Sequence, residues 1–481
     1  MMQQDVRYGI RLSIIYGVIW FIDLLDASLL NVALPEVSQY FRIGPTDAEW
    51  ALIGFLLAMV IGMIISTPAS QNFGLRRVFL FAQWMYIFSS LACGLSIHFP
   101  ELVLFRVLQG FAGGLAIPLG MFLIMSVLPN EMWAKTGAWI NLFSLIAPAL
   151  GPILAGYITS YLNWRWLFLI KLPISLVAVL LSHAWVKNHV EEKKGRFDWF
   201  GFILVSLSLS LFLLVLSEIG KPFFSNVMLI TFLCAAIFCG WIFVWQEKRA
   251  KHPLVPFKIF RYKLFAWGNL IQSAANMIFL GATFLVAVYL QRSLNFSIIL
   301  SGWIMAAVTL GMICVMPLTG KFYNKWGPLP FIIPGLLLMG GAMLALTVVT
   351  PQTSPWLIAL LIFCEGAGSA AVQSSNFVSI FSEIPQTLKG PGSSLYSLFK
   401  QISASIGIAL STMALSLGMN LKGIPATASH LPQNVFYGPL ILLGLIPLLA
   451  LFCCFFIDNK KALKKLSSHD HLDTEFEKGA E

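Results

Sequence analysis

Charge is what this sequence has least of: Asp, Glu, Lys and Arg make up 11% of its 481 residues, against 58% hydrophobic, and the mean hydropathy is +0.82. So few polar side chains cannot cover a water-soluble globule of this length. Long polar stretches are missing too, so no extramembrane domain is expected. The basic residues, which give a net charge of +10, are scattered over short connections and form no aromatic-interleaved basic block, which argues against nucleic acid as a partner. Cys93, Cys234, Cys239, Cys314, Cys364, Cys453 and Cys454 all fall inside apolar runs, so they read as small buried hydrophobes rather than a disulfide framework or zinc site. Catalytic motifs are absent as well. Gly320-Lys321 lacks the upstream glycine and the hydroxyl of a phosphate-binding loop, no nucleophile elbow or metal-spaced His/Cys cluster appears, and His469 and His471 lie in the tail. The expectation is no enzyme, no metal and no cofactor.

What the sequence does have is apolar runs near 20 residues long with Gly and Pro inside them, the mark of membrane-spanning helices; the alternating ten-residue strands of an outer-membrane barrel are missing. Fourteen spans are expected, at roughly 12–34, 49–69, 77–97, 101–127, 136–160, 165–186, 199–218, 224–246, 264–290, 298–319, 329–349, 355–380, 393–417 and 434–457. The first continues well past signal-peptide length without a convincing cleavage site and is expected to be retained. An even count puts both termini on one side. Of the 31 Lys and Arg, Arg106 lies inside a span and Arg42, Arg165, Lys171, Lys221, Arg292 and Lys422 fall on the far side, leaving 24 (31 − 7) for the terminal side. The positive-inside rule then makes both termini cytoplasmic.

The longest charged connections, around 187–198 and 247–263, bracket spans seven and eight. This predicts a six-helix half at 1–190, an inserted helix pair at 191–262, a second six-helix half at 263–458 and a cytoplasmic tail at 459–481. A weak internal echo agrees, since Thr67-Pro-Ala-Ser-Gln-Asn-Phe-Gly-Leu-Arg-Arg follows span two and Pro317-Leu-Thr-Gly-Lys-Phe-Tyr-Asn-Lys-Trp-Gly-Pro follows span ten. Repeated halves with a midplane site are the architecture of many secondary transporters. The fold class is all-α and polytopic.

Two carboxylates stand inside the first span. Asp23 lies about 18 Å of helix rise beyond Arg11, and Asp26 follows one turn later on the same face. A charge at the centre of a membrane helix costs roughly 2.5–3.5 kcal/mol on insertion scales. Either the pair is solvated near a helix end, or it is a site for protons or a cation, titrating as a coupled pair. Arg106, in Arg106-Val-Leu-Gln-Gly110, either snorkels to the outer interface or turns inward to those aspartates, with Gln109 on its own face. Glu365 in span twelve sits beside small residues and before Gln373, Ser374, Ser375 and Asn376; it is a proton or cation-recognition site, or an interhelical hydrogen bond. Gln109, Asn31, Gln272, Asn276, Gln373 and Asn376 are candidate cavity residues, with helix-to-helix hydrogen bonding as the plainer role of such groups. Span five carries Pro148, Gly151, Pro152 and Gly156, which by themselves make a kinked, closely packed helix. Phe73-Gly74-Leu75-Arg76-Arg77 is a turn with cations, either simple topology or a latch across helix ends.

Taken together, these residues resemble the major facilitator superfamily, and within it the fourteen-helix drug:proton antiporter branch, the EmrB/QacA group. Leu25-Asp-Ala-Ser-Leu-Leu-Asn-Val-Ala-Leu-Pro looks like that branch's first-helix signature, with Asp26 on its acidic position and Asp23 additional. Arg106-x-x-Gln-Gly resembles the fourth-helix motif implicated in proton coupling, and Gly151-Pro-Ile-Leu-Ala-Gly the antiporter motif of helix five. Asn163-Trp-Arg-Trp-Leu-Phe-Leu-Ile-Lys-Leu-Pro resembles the group's lead into helix six, with Lys171 in place of the usual asparagine. Gln71 and Asn72 stand where many relatives carry an acidic and a basic residue, so no latch built on a salt bridge to position 71 is expected. Glu365 matches no family signature. The resemblance implies a proton-driven exporter of drugs or other amphipathic compounds in a bacterial inner membrane, with substrate, protons and lipid as partners. Export of one endogenous metabolite, siderophore or lipid is the alternative, followed by proton symport and a non-transporting receptor. In a Gram-negative host a periplasmic adaptor and an outer-membrane channel are conceivable further partners. Asp23, Asp26, Arg106 and Glu365 are the expected proton-coupling residues.

Overall fold

The computed structural model describes residues 2–129, 132–133, 136–137, 139–140, 146–187, 198–218, 224–250, 253–424, 430–457 and 459. Among them there are helices and turns but no strands. The long helices follow the expected spans: α1 Met2–Phe41, α2 Trp50–Phe73, α3 Leu75–Leu95, α4 Phe99–Val127, α5 Ile146–Tyr161, α6 Leu172–Trp185, α7 Trp199–Glu218, α8 Asn226–Glu247, α9 Lys263–Arg292, α10 Ile298–Trp326, α11 Leu329–Ala345, α12 Pro355–Ser382, α13 Gln386–Asn420 and α14 Tyr437–Cys454. Thirteen helices among the described residues are long and apolar enough to cross a membrane. The fifth span, expected at 136–160, is described only in part, and α5 is described over 16 residues.

Several helices outrun their apolar windows. α1 starts ten residues earlier than expected and runs seven further, while α10 carries Lys321 and Lys325 in its last turns. The hydropathy window sees where lipid would end, but the helical backbone continues through these stretches, past Pro35 in α1 and Pro391 in α13, each of which removes one N–H donor. Lys400 therefore lies within α13, and Lys389, near its start, is buried; neither is a loop charge.

The chain divides into two compact units. The first comprises α1–α8 with Gln386–Leu398 at the start of α13; the second holds α9–α12, the rest of α13 and α14. In the first unit α4 is the central helix, with α2 along one side, α3 along another and α1 crossing it, while α6 packs on both α1 and α3. α7 rests on α2 and pairs with α8. In the second unit α12 takes the place of α4: α10, α11 and α9 pack on it, and α14 packs on α9 and α11. The internal echo in the sequence thus corresponds to a repeat of helix pairings.

Glycine sets the closest of these contacts. A methyl group at Gly110 or Gly114 of α4 would overlap the Phe55 or Met59 carbonyl of α2, and one at Gly366 of α12 would overlap the Val308 carbonyl of α10. Small residues let helix backbones approach in this way. The two echoed segments also share a break: Gly74 (φ 91°) separates α2 from α3, and Gly327 (φ 76°) ends α10 ahead of α11. Positive φ is open to glycine at little cost.

The outward faces are apolar. Phe81, Phe88, Trp241 and Phe238 are all more than half exposed, an arrangement suited to lipid rather than water. The protein is a multi-pass membrane protein.

Candidate functional site

The first unit encloses a charged cluster. Asp26 of α1 is 1% exposed, and Arg106 of α4 and Lys171, just before α6, are fully buried. Arg106 Nη1 donates to Asp26 Oδ2 at 2.5 Å and to Gln109 Oε1 at 2.8 Å, while Nε donates to the Ala51 carbonyl of α2 at 3.1 Å. Lys171 Nζ makes an ion pair with Asp26 Oδ1. Each carboxylate oxygen of Asp26 therefore meets its own cation. Aromatic faces complete the enclosure: the Arg106 guanidinium carbon lies 4.2 Å from the Phe55 ring centroid, and Lys171 Nζ 5.1 Å from that of Phe168. Taking such charges out of water is expensive unless they are paired, and here Asp26 pairs with both cations, while Arg106 Nη2 has no hydrogen-bond partner among the described residues.

Local sequence explains how Lys171 gets there. Trp164 is 1% exposed, and Arg165 next to it lies over the Tyr40 and Trp164 rings while donating to Tyr40 Oη and the Ser96 carbonyl, both at 2.9 Å. This clamp ties the turn before α6 to the end of α1 and the end of α3. A single helical turn, Trp166–Leu169, then delivers Lys171 inward at the start of α6. The sequence reading placed Lys171 among the far-side loop charges; the structure corrects this, since the side chain is inside the bundle. Its signal was a lysine between Ile170 and Leu172 where apolar neighbours offered no solvated loop.

Asp23 is one turn earlier and differently placed. It is 9% exposed, and among the described residues it makes no ion pair and accepts no hydrogen bond. Its carboxylate faces a cavity of about 30 Å³ bordered by Ile19, Ile22, Gln83, Tyr86, Gly113, Ala116, Ser175 and Ala178. Tyr86 and Ser175 had no distinguishing mark in the sequence, because only the packing of α3 and α6 against α1 brings them to the aspartate.

The conformational candidates divide. Gly110 and Gly151 make close helix contacts, the latter against Ser28 of α1, whereas among the described residues Gly156 has no neighbour within 4 Å of where a β-carbon would stand. Arg76 Nη2 donates to the His183 carbonyl at 2.8 Å, capping the end of α6, while Arg77 is exposed. The side chains of Asn31 and Pro152 lie outside the described residues.

In the second unit, Glu365 is 2% exposed and has no ion-pair partner among the described residues; its Oε1 accepts no hydrogen bond there. Asn376 Nδ2 donates to the Gly268 carbonyl at 2.7 Å, Asn276 Nδ2 to the Lys400 carbonyl at 2.6 Å, and Gln373 Nε2 to Ser369 Oγ at 2.7 Å. Gln272 Oε1 lies 3.4 Å from Asn376 Nδ2. Asn276, Asn376 and Gln272 thus join helices to one another, and Gln373 bonds within α12.

Comparison with known proteins accords with this architecture. The family model described as Major Facilitator Superfamily matches residues 17–408. The chain is 28% identical to "Probable transport protein HsrA" of Haemophilus influenzae, over 87% of this chain and 89% of that one. It is also 28% identical to "Putative multidrug resistance protein MdtD" of Salmonella typhimurium, over 85% and 87%, and 27% identical to the "Uncharacterized MFS-type transporter YhcA" of Bacillus subtilis, over 85% and 77%. Among solved structures, the proton:xylose symporter XylE superposes with a TM-score of 0.66 at 14% identity, covering 96% of this chain and 99% of that one. The human organic anion transporter MFSD10 gives 0.63 at 14% identity, covering 92% and 98%. These are transporters and not enzymes, and the chain belongs to the Major Facilitator Superfamily.

Proposed function

We propose that the protein is a proton-coupled exporter of bulky amphipathic compounds, drugs among them, working by alternating access in a bacterial inner membrane with both termini cytoplasmic. The observation that carries this reading is the buried cluster of two acids and two bases in the first unit, a cost that an apolar bundle has no structural need to bear. A carboxylate enclosed beside fixed cations is equipped to exchange a proton as access changes. The relative carrying the words "multidrug resistance" in its name supports the substrate class, and the helix-five motif supports antiport over uptake. Glu365, in the second unit, supplies a further acid, for a proton or for a cationic substrate. The proton gradient is the energy source, and no cofactor is required.

The test uses inverted membrane vesicles with an acidified lumen. Adding ethidium or tetraphenylphosphonium to wild type is expected to release luminal protons, and Glu365→Gln is expected to weaken the response to these cations more than to neutral drugs. If folded wild type moves no protons with any drug in a broad panel, drug export falls and the dedicated exporter of an endogenous compound takes its place.

A further inference from the structure

The ion pairs of Asp26 leave a second buried carboxylate unused. Asp23 Oδ1 is enclosed without a hydrogen-bond partner among the described residues, and two hydroxyls bordering the same cavity share that condition: Tyr86 Oη and Ser175 Oγ. Tyr86 lies beside Gln109, but no hydrogen bond of ordinary geometry satisfies its hydroxyl. Asp23, Tyr86 and Ser175 are each more than nine-tenths buried. They come from three helices, α1, α3 and α6, and converge on a space of about 30 Å³, room for about two water molecules. Buried polar atoms are satisfied by protein or by water as a rule. Three unsatisfied polar atoms thus border one small cavity whose remaining lining is largely apolar, and water there would complete their hydrogen bonding. Gly113 keeps it open, since a β-carbon there would stand 2.9 Å from Asp23 Oδ1.

We infer that Asp23, hydrated in this cavity, is the carboxylate that binds and releases the coupling proton, while Asp26 is the permanent counter-ion of Arg106 and Lys171. The inference rests on the proton-coupled reading above and goes further by separating the two acids. A hydronium ion in the cavity gives its proton to one Asp23 oxygen, forming an O–H bond and leaving a water molecule; release is the reverse. No hydrogen bond within the protein breaks in that step. Protonating Asp26 instead would disrupt two ion pairs and strand two buried cations. The charged and titratable groups facing Asp23 are Asp26 and Tyr16 on α1, Tyr86 on α3, Arg106 on α4 and Lys171 before α6. With Asp23 ionised the two acids balance the two bases, and uptake of one proton leaves the cluster with a single net positive charge.

Infrared difference spectroscopy of the full-length purified protein in lipid, stepped in pH without any drug, tests this directly. A Glu365→Gln background removes the acid buried within α12, leaving Glu218 and Glu247 at the ends of α7 and α8 common to every variant. The protonated-carboxyl C=O band that appears on acidification is expected to be lost in Asp23→Asn and kept in the charge-compensated Asp26→Asn/Lys171→Met variant. Should Asp23→Asn not fold, the Tyr86→Phe/Ser175→Ala pair serves in its place, and a shift in the frequency of the same band is expected because the hydrogen bonding around the acid changes. A band that survives Asp23→Asn, vanishes with Asp26, or ignores the Tyr86/Ser175 pair overturns the inference. Because no substrate is involved, this failure is distinct from that of the proton-coupled reading, which falls in the vesicle experiment whatever the band does.

Discussion

Asp26 is the residue on which the most charge converges, and its removal is the sharpest single-residue test of stability. Asp26→Asn leaves Arg106 and Lys171 buried beside a neutral amide, which should cost about 3–5 kcal/mol, the range for breaking a buried pair from one side. Adding Lys171→Met restores the balance between acids and bases and should recover a large part of that loss. The pair of variants forms half of a double-mutant cycle, read as thermal unfolding of the purified protein; equal instability with and without Lys171→Met would mean that the lysine is no partner of Asp26. Gly113→Ala addresses the neighbouring acid. Its methyl would meet Asp23 Oδ1 at 2.9 Å, so drug-driven proton movement should fall several-fold while thermal stability changes little. At this scale the sequence was half legible. Buried acids and Arg106 stand out in an apolar run because each needs a reason to be there, but Lys171 looked like an outer loop charge, and the Asp23 cavity exists only through side chains that are individually unremarkable.

At the scale of elements, glycine contacts between α2 and α4, and again between α10 and α12, set how closely the helices of each unit pack. Gly110→Leu or Gly366→Leu would force backbones apart at carbonyl contacts, and each should cut the yield of folded protein sharply, as seen by size-exclusion profile in mild detergent. Gly74→Ala is gentler: at φ 91° a β-carbon adds roughly 1–2 kcal/mol of strain, so a modest fall in melting temperature is expected, with more loss if the break between α2 and α3 moves during transport. Helix existence was legible from hydrophobic length, and the repeat from the echo of Phe73-Gly74 in Trp326-Gly327. Helix ends were not, because α1, α10 and α13 continue as helices into polar sequence.

For the whole molecule, parity of the spans decides topology. Fourteen crossings leave both termini on one side and thirteen put them apart, so a fluorescent fusion at the C-terminus combined with protease access to an N-terminal tag reads the count. Both tags are expected on the cytoplasmic side, in keeping with the excess of Lys and Arg on the terminal side. The all-helical, multi-pass architecture was legible from composition and spacing alone. Substrate identity was not, since a greasy cavity can be lined by many combinations of the chain's 39 Phe and 15 Trp, none of which a sequence singles out.

Coupling of drug movement to protons is the claim on which the rest depends. Purified protein reconstituted into liposomes with an acidic interior and a neutral exterior should accumulate tetraphenylphosphonium while the interior loses protons, and both movements should stop together in Asp23→Asn. If the cation accumulates at the same rate with the pH gradient collapsed and the membrane potential clamped at zero, transport is not driven by protons and the account is wrong.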